Sequence, residues 1–247
     1  MCYGDDAQAP APPERAPLGS HGEVVLTSAD GTRFGAYHAD PETASDQAIV
    51  ILPDARGLHT FYHDLAKRWA EAGRHAIAID YFGRTAGIGP RGEDFPYREH
   101  MRGMDLGKIA EDASAAVAWL RERTGARSVF VVGFCIGGAM SWRQAAAGDD
   151  LAGVIGFYGI PSPALDAAPA IASPVLVMAA GKDFTPVEDT RNFADTVRRE
   201  AGVDVTFELF PDAPHSFFDQ AFGQYRADVD RAWRVQLDFL DRHSVPA

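Results

Sequence analysis

The chain has 247 residues, 46% of them hydrophobic and 23% charged, with Lys plus Arg at 23 against 35 for Asp plus Glu and a formal net charge of -12. That composition supports one sizeable folded core, and its acidic balance argues against nucleic-acid or anionic-membrane partners. No run approaches the roughly 20 apolar residues of a bilayer-spanning helix, and Met1–Asp6 lacks the basic and apolar regions of a signal peptide. The cysteines are Cys2, in an end that reads as flexible, and Cys135, in a tight glycine-rich turn. A bridge between them is not expected, and a reduced thiol in a cytoplasmic protein is the better reading.

Residues 1–19 read as an extended Ala/Pro-rich arm over the surface, with Pro10, Pro12, Pro13 and Pro17 spread through it. A single domain follows over 20–247, with no internal repeat or second linker. Glu23–Ser28 and Arg33–His38 flank Ala29-Asp30-Gly31-Thr32, a hairpin signal. Beyond it, Ala48–Leu52, Ala76–Asp80, Val129–Gly133, Val154–Tyr158 and Val175–Ala179 are short aliphatic runs of the kind buried on both faces of a parallel sheet. Helical stretches lie between most of them: Phe61–Ala72, about Leu106–Arg123, Ile136–Ala147 and Val187–Ala201. A strand at Asp204–Phe210 and a helix over about Tyr225–Arg242 close the chain. The expected fold is α/β, a mostly parallel central sheet with helices on both faces and an N-terminal antiparallel hairpin. Sites in such sheets form at the carboxyl ends of the strands.

At one such end stands Gly133-Phe134-Cys135-Ile136-Gly137, a Gly-x-Cys-x-Gly between a strand and a helix. This matches a nucleophile elbow with cysteine in place of serine. Its glycines avoid collisions in a very sharp turn, and the following helix N-terminus favours a thiolate. Taken alone, the same turn suits a small buried cysteine equally well. Two further residues decide between these. Asp183 follows a late strand in Gly181-Lys182-Asp183, and His215 follows the last strand in Pro214-His215-Ser216-Phe217. Nucleophile, acid and histidine thus occur in the chain order of the α/β-hydrolase fold, each in the loop that fold requires.

The elbow Gly-Phe-Cys-Ile-Gly-Gly-Ala, the Gly-Lys-Asp and the His-Ser-Phe resemble dienelactone hydrolases. So do Leu52-Pro53-Asp54-Ala55-Arg56-Gly57 and Asp80-Tyr81-Phe82-Gly83-Arg84, and the likeness runs from about residue 20 to the end. The resemblance implies that Cys135 attacks an ester or lactone carbonyl, with His215 as base and Asp183 as its orienting acid. It implies an oxyanion hole from the backbone N–H groups of Ile136 and Ala55. Asp54 takes the place of a glutamate that modulates the nucleophile, Arg84 that of a substrate-carboxylate ligand, and Ser216 lies beside the histidine in the same substrate-binding or modulating group. The chain departs from the pattern at Asp54, one methylene shorter than glutamate. It departs again at Asp219, an anion where a second carboxylate-binding arginine is expected. Substrate range should therefore move away from strongly anionic lactones, unless Arg91 or Arg98 in the irregular loop 85–103 replaces the lost cation. Phe61, Tyr62 and Trp69 are expected in the core. No ligand spacing such as H-E-x-x-H occurs, so neither metal nor cofactor is expected. The resulting function is hydrolysis of small carboxylic esters or enol lactones through an acyl-enzyme. A broad carboxylesterase or thioesterase, or a catalytically silent binding protein, are the alternatives.

Overall fold

The structure, a computed structural model, describes residues 3–221 and 223–245. Cys2, and with it the expectation that it forms no disulfide with Cys135, lies outside the described residues. Among these residues no helix is long and apolar enough to cross a membrane.

The hairpin forms as β1 (Leu18–Thr27) and β2 (Arg33–Pro41), in register from Thr27 opposite Arg33 back to His21 opposite Ala39. Both strands run several residues beyond the alternating pattern. Next come β3 (Gln47–Leu52), β4 (His75–Ile79), β5 (Ser128–Phe134), β6 (Gly153–Phe157), β7 (Val175–Lys182) and β8 (Val205–Pro214). They assemble in the order β1-β2-β4-β3-β5-β6-β7-β8, parallel from β4 to β8 and antiparallel at β1/β2 and β2/β4.

Aliphatic runs form the inner strands because helices cover both faces. Along β3, Ile49 and Ile51 pack on one face while Ala48, Val50 and Leu52 pack on the other. The first face lies under α1 (Thr60–Glu71) and α7 (Arg226–His243), through Phe61, Leu65, Trp69, Trp233 and Phe239. The second lies under α4 (Leu106–Thr124), α5 (Ile136–Gln144) and α6 (Val187–Ala201), through Val117, Leu120, Trp142 and Phe193. Each such large side chain contributes about 1.5–3 kcal/mol by leaving water. Phe61, Tyr62 and Trp69 are core residues, as their helical spacing suggests. Helix α4 starts where Asp105 accepts hydrogen bonds from the N–H groups of Gly107 and Lys108, and stops at Gly125, whose φ of 71° breaks the helical path.

The irregular stretch after β4 holds two short helices, α2 (Gly83–Ala86) and α3 (Tyr97–Met101), and a 3-10 helix at Ser162–Ala170 fills the β6–β7 crossover. The described part of the arm is more than a surface layer: Tyr3 and Ala9 are buried among core residues, and Trp233 donates through Nε1 to the Pro10 carbonyl at 3.3 Å.

Strand order reverses about β3, which lies between β4 and β5, so the carboxyl ends of β3 and β5 border a topological switch point. Their helices and loops meet there because Gly137 has no side chain. A Cβ at Gly137 would lie 2.2 Å from the Leu52 carbonyl oxygen and 2.3 Å from that of Pro53. Backbone cannot yield as a flexible side chain would. Gly137→Ala should therefore lower unfolding free energy by about 2 kcal/mol or more in denaturant titration; wild-type stability would contradict this close approach.

Candidate active site

Cys135 sits between β5 and α5 with φ 57° and ψ -117°, a conformation that costs a non-glycine residue about 1–3 kcal/mol. Neighbouring glycines make it attainable: a Cβ at Gly133 would fall 1.8 Å from the Gly137 carbonyl oxygen, and one at Gly138 would fall 2.7 Å from that of Phe157. The thiol is thereby held at the first turn of α5, where the helix N-terminus favours a thiolate.

Asp183 and His215 meet because of register. Lys182 of β7 pairs with Pro214 of β8, so the next residue of each strand leaves the sheet beside the other. Gly181 permits the local irregularity, since a Cβ there would lie 2.1 Å from the Pro211 carbonyl oxygen. The His215 Nδ1 then lies 2.9 Å from both oxygens of the enclosed Asp183 carboxylate. Burial alone would lower the His215 pKa, but hydrogen bonds to Asp183 and to the Cys135 sulfur outweigh it and raise the value to about 9. Sulfur, imidazole and carboxylate are therefore one connected set. Asp212, the other carboxylate of that loop, pairs instead with Lys182 at 3.0 Å.

Ala55 and Ile136 are the partly open residues among buried neighbours in their two segments. Ile136 opens α5, so its N–H is one of the helix's orphan donors. The loop carrying Ala55 is fixed on either side: the Asp54 N–H donates to the Tyr62 hydroxyl at 2.8 Å, the Gly57 N–H to the Asp54 carbonyl at 3.0 Å, and the Tyr81 hydroxyl to that same carbonyl.

The remaining expected site residues take other roles. The Asp54 carboxylate accepts from the backbone N–H groups of Tyr3 at 3.1 Å and Arg56 at 2.9 Å, with His59 Nε2 at 3.6 Å. It thus ties the arm to the β3 loop. Ser216 has φ 64° and turns the chain sharply after His215; its enclosed Oγ has no hydrogen-bond partner among the described residues.

Arg84 does not fit the expected role of substrate-carboxylate ligand. It donates to both oxygens of the buried Asp112, at 3.0 and 2.7 Å, and to Asp30, Thr32 and Ser28. Burial pushes the Asp112 carboxyl up despite this pairing, while Arg84 is driven further towards its cation by Asp112 and Asp30 against its own desolvation. With all of its donating nitrogens engaged, Arg84 is a structural cation. Arg91, offered as a substitute, is buried against Asp80 at 2.6 Å, and Arg98 lies out on Tyr97. Asp219 accepts from the N–H groups of Gln8 at 2.8 Å and Ala221 at 2.9 Å, so it fastens the arm.

Several contributors carry no motif. Tyr158, with φ 38°, brings its ring 4.8 Å from that of His215. Phe184 follows Asp183, is 65% exposed and lies 4.4 Å from the same imidazole. Tyr158 ends an aliphatic run and Phe184 follows the acid; both adjacencies were visible in sequence, but neither spacing marks a function.

The family model "Dienelactone hydrolase family" matches residues 34–244. The chain belongs to the dienelactone hydrolase family. It is 26% identical to a carboxymethylenebutenolidase of Rhodococcus opacus over 257 aligned residues, covering 98% of this chain and 97% of that protein. A Yersinia pestis protein provisionally assigned the same name is 25% identical, over 92% of this chain and 90% of its own. Among solved structures, one provisionally assigned as a dienelactone hydrolase of Klebsiella pneumoniae superposes with a TM-score of 0.76 at 24% identity. That match covers 90% of this chain and 99% of the other and shows the shared α/β-hydrolase fold.

Within this dienelactone hydrolase-family scaffold, Arg84→Met should leave buried Asp112 unpaired and cost about 3 kcal/mol of stability. Its kcat/KM for a carboxylate-bearing ester should remain within about threefold of wild type. A substrate grip of about 1.5–3 kcal/mol would instead cost roughly tenfold or more.

Proposed function

We propose that this hydrolase cleaves small activated carboxylic esters or enol lactones through a Cys135–His215–Asp183 triad and an acyl-enzyme. The observation that carries the proposal is the connected sulfur–imidazole–carboxylate set, with His215 raised to about 9 by both neighbours. A histidine with that pKa is a cation at neutral pH, and an imidazolium beside a thiol at a helix N-terminus holds the thiolate.

The thiolate attacks the carbonyl carbon, forming the C–S bond, and the N–H groups of Ile136 and Ala55 receive the oxyanion. The C–O bond then breaks; His215 protonates the departing enolate or alkoxide oxygen, which stays tethered to the acyl group when the substrate is a lactone. The sulfur is then a neutral thioester, so its contribution to the His215 cation disappears and the imidazole can accept a proton from water. Water adds, the C–S bond breaks, and carboxylic acid and thiolate remain. Thiolate is itself a good leaving group, so stabilised enolates and aryl oxides leave efficiently whereas simple alkoxides compete poorly with its return. Apolar parts of the substrate have a place beside the imidazole. A groove of about 500 Å³ is lined by Ile160, Leu165, Phe184 and Phe193.

Cys135→Ala should abolish turnover of 4-nitrophenyl acetate while retaining fold and Tm. A rate within about tenfold of wild type, only ~1.4 kcal/mol of barrier, would exclude the triad. The sign of the histidine shift gives a second outcome. His215 stays cationic up to about pH 9, so alkylation of Cys135 by iodoacetamide should change little between pH 8 and pH 6. An ordinary thiol, with pKa near ~8.5, would slow nearly ~100-fold over that interval. In Asp183→Asn the alkylation midpoint should move to higher pH, because one of the groups holding the imidazolium is gone.

A further inference from the structure

Arg56 follows oxyanion-loop residue Ala55, and its side chain is wholly enclosed. A guanidinium cannot discharge itself by losing a proton, so enclosure on this scale calls for an anion. The structure supplies one from the arm: the Asp5 carboxylate lies 2.8 Å from Arg56 Nη1. His59, whose pKa is held low by burial, meets Nη2 through Nδ1 as a neutral acceptor and adds no charge. Arg84 and Arg91 are matched by carboxylates as enclosed as themselves, but Asp5 is 52% exposed.

Tyr3, two residues earlier, stacks on Phe61 with ring centres 3.8 Å apart and planes 14° from parallel. Its hydroxyl meets that of Tyr158 and donates to the Phe218 carbonyl at 3.2 Å. Tyr158 is the residue whose ring lies against His215. The Tyr3 ring thus stands one aromatic ring away from His215, through Tyr158, while a carboxylate from the same segment pairs with Arg56. Asp5 is also reachable from outside, because it walls a cavity of about 920 Å³ together with Leu58, His59, Ile88, Pro90 and Arg91.

We infer that Arg56 is the anion subsite of the substrate pocket and that Tyr3–Asp5 is its resident occupant, displaced by a planar unsaturated carboxylate. The incoming π-system takes the place of the Tyr3 ring and its carboxylate takes that of Asp5. The inference rests on the cysteine-hydrolase reading for what happens after binding, but binding itself does not require turnover. It gives the pocket a cation where Arg84 and position 219 provide none, and it makes occupancy competitive: the arm acts as a tethered ligand, so external affinity is set against its effective concentration.

Cinnamate and 5-phenylpenta-2,4-dienoate, which differ in reach by one vinyl unit, serve as probes, each compared by calorimetry with its methyl ester. Asp5→Asn should tighten at least one of the acids by about tenfold or more and leave its ester unchanged. Arg56→Gln should remove the preference for acid over ester. Because that buried substitution can disturb folding, the Asp5→Asn result decides. Equal response of acid and ester, or unchanged acid binding accompanied by a lowered Tm, would overturn the inference and leave Asp5–Arg56 as a fold-stabilising ion pair. Turnover of neutral 4-nitrophenyl acetate by Cys135→Ala separates the two claims. If Cys135→Ala still hydrolyses it, the triad reading fails even where acid binding behaves as expected.

Discussion

The turn from β5 into α5 is the constraint on which the rest of the site depends. Holding Cys135 at φ 57° costs free energy, and the surrounding backbone must enforce it. Enforcement comes from bare backbone contact: Gly133 beneath Gly137, Gly137 against Leu52 and Pro53, Gly138 against Phe157. Those contacts also bring the start of α5 to the end of β3, which sets the N–H of Ile136 across from the loop of Ala55. One steric device therefore raises the sulfur, aims a helix N-terminus at it and forms both sides of the candidate oxyanion hole. Across the sheet, the β7–β8 register brings Asp183 and His215 to the same rim.

Charge at this rim is local and runs against the acidic surface. His215 is held as a cation by an enclosed carboxylate and by the sulfur it touches, which in the proposed triad keeps the proton on nitrogen before any substrate arrives. The arginines divide according to their partners. Arg84 and Arg91 are closed into buried pairs with Asp112 and Asp80; breaking either would strand a charge, which ties them to stability. Arg56 has a partner, Asp5, that water can reach and that walls a cavity.

Much of the fold, and the convergence of Cys135, Asp183 and His215 on which the proposed triad rests, was legible because both depend on short-range pattern. Aliphatic runs report strands buried on two faces, and the glycines around Cys135 report a turn that only bare backbone can make. Arg84 was misread because its four neighbouring acceptors, Ser28, Asp30, Thr32 and Asp112, come from the hairpin and from α4, and no local pattern announces such convergence. Asp219 marked a lost arginine in sequence, whereas in space it anchors the backbone of Gln8. The arm was the least legible part. Alanine and proline say nothing of its contacts, and the burial of Tyr3 depends on Phe61, Tyr158 and Phe218, contributed by three distant segments.

On the proposed mechanism the Cys135 sulfur carries the acyl group. Rapid acid quench of the enzyme during turnover of 4-nitrophenyl acetate, followed by peptide mass mapping, tests it directly. One acetyl group is expected as a thioester on the peptide containing Cys135, at higher steady-state occupancy in His215→Ala supplied with excess substrate, where deacylation lacks its base. Acetyl found on another residue, or turnover without any acylated Cys135 in either protein, would contradict it.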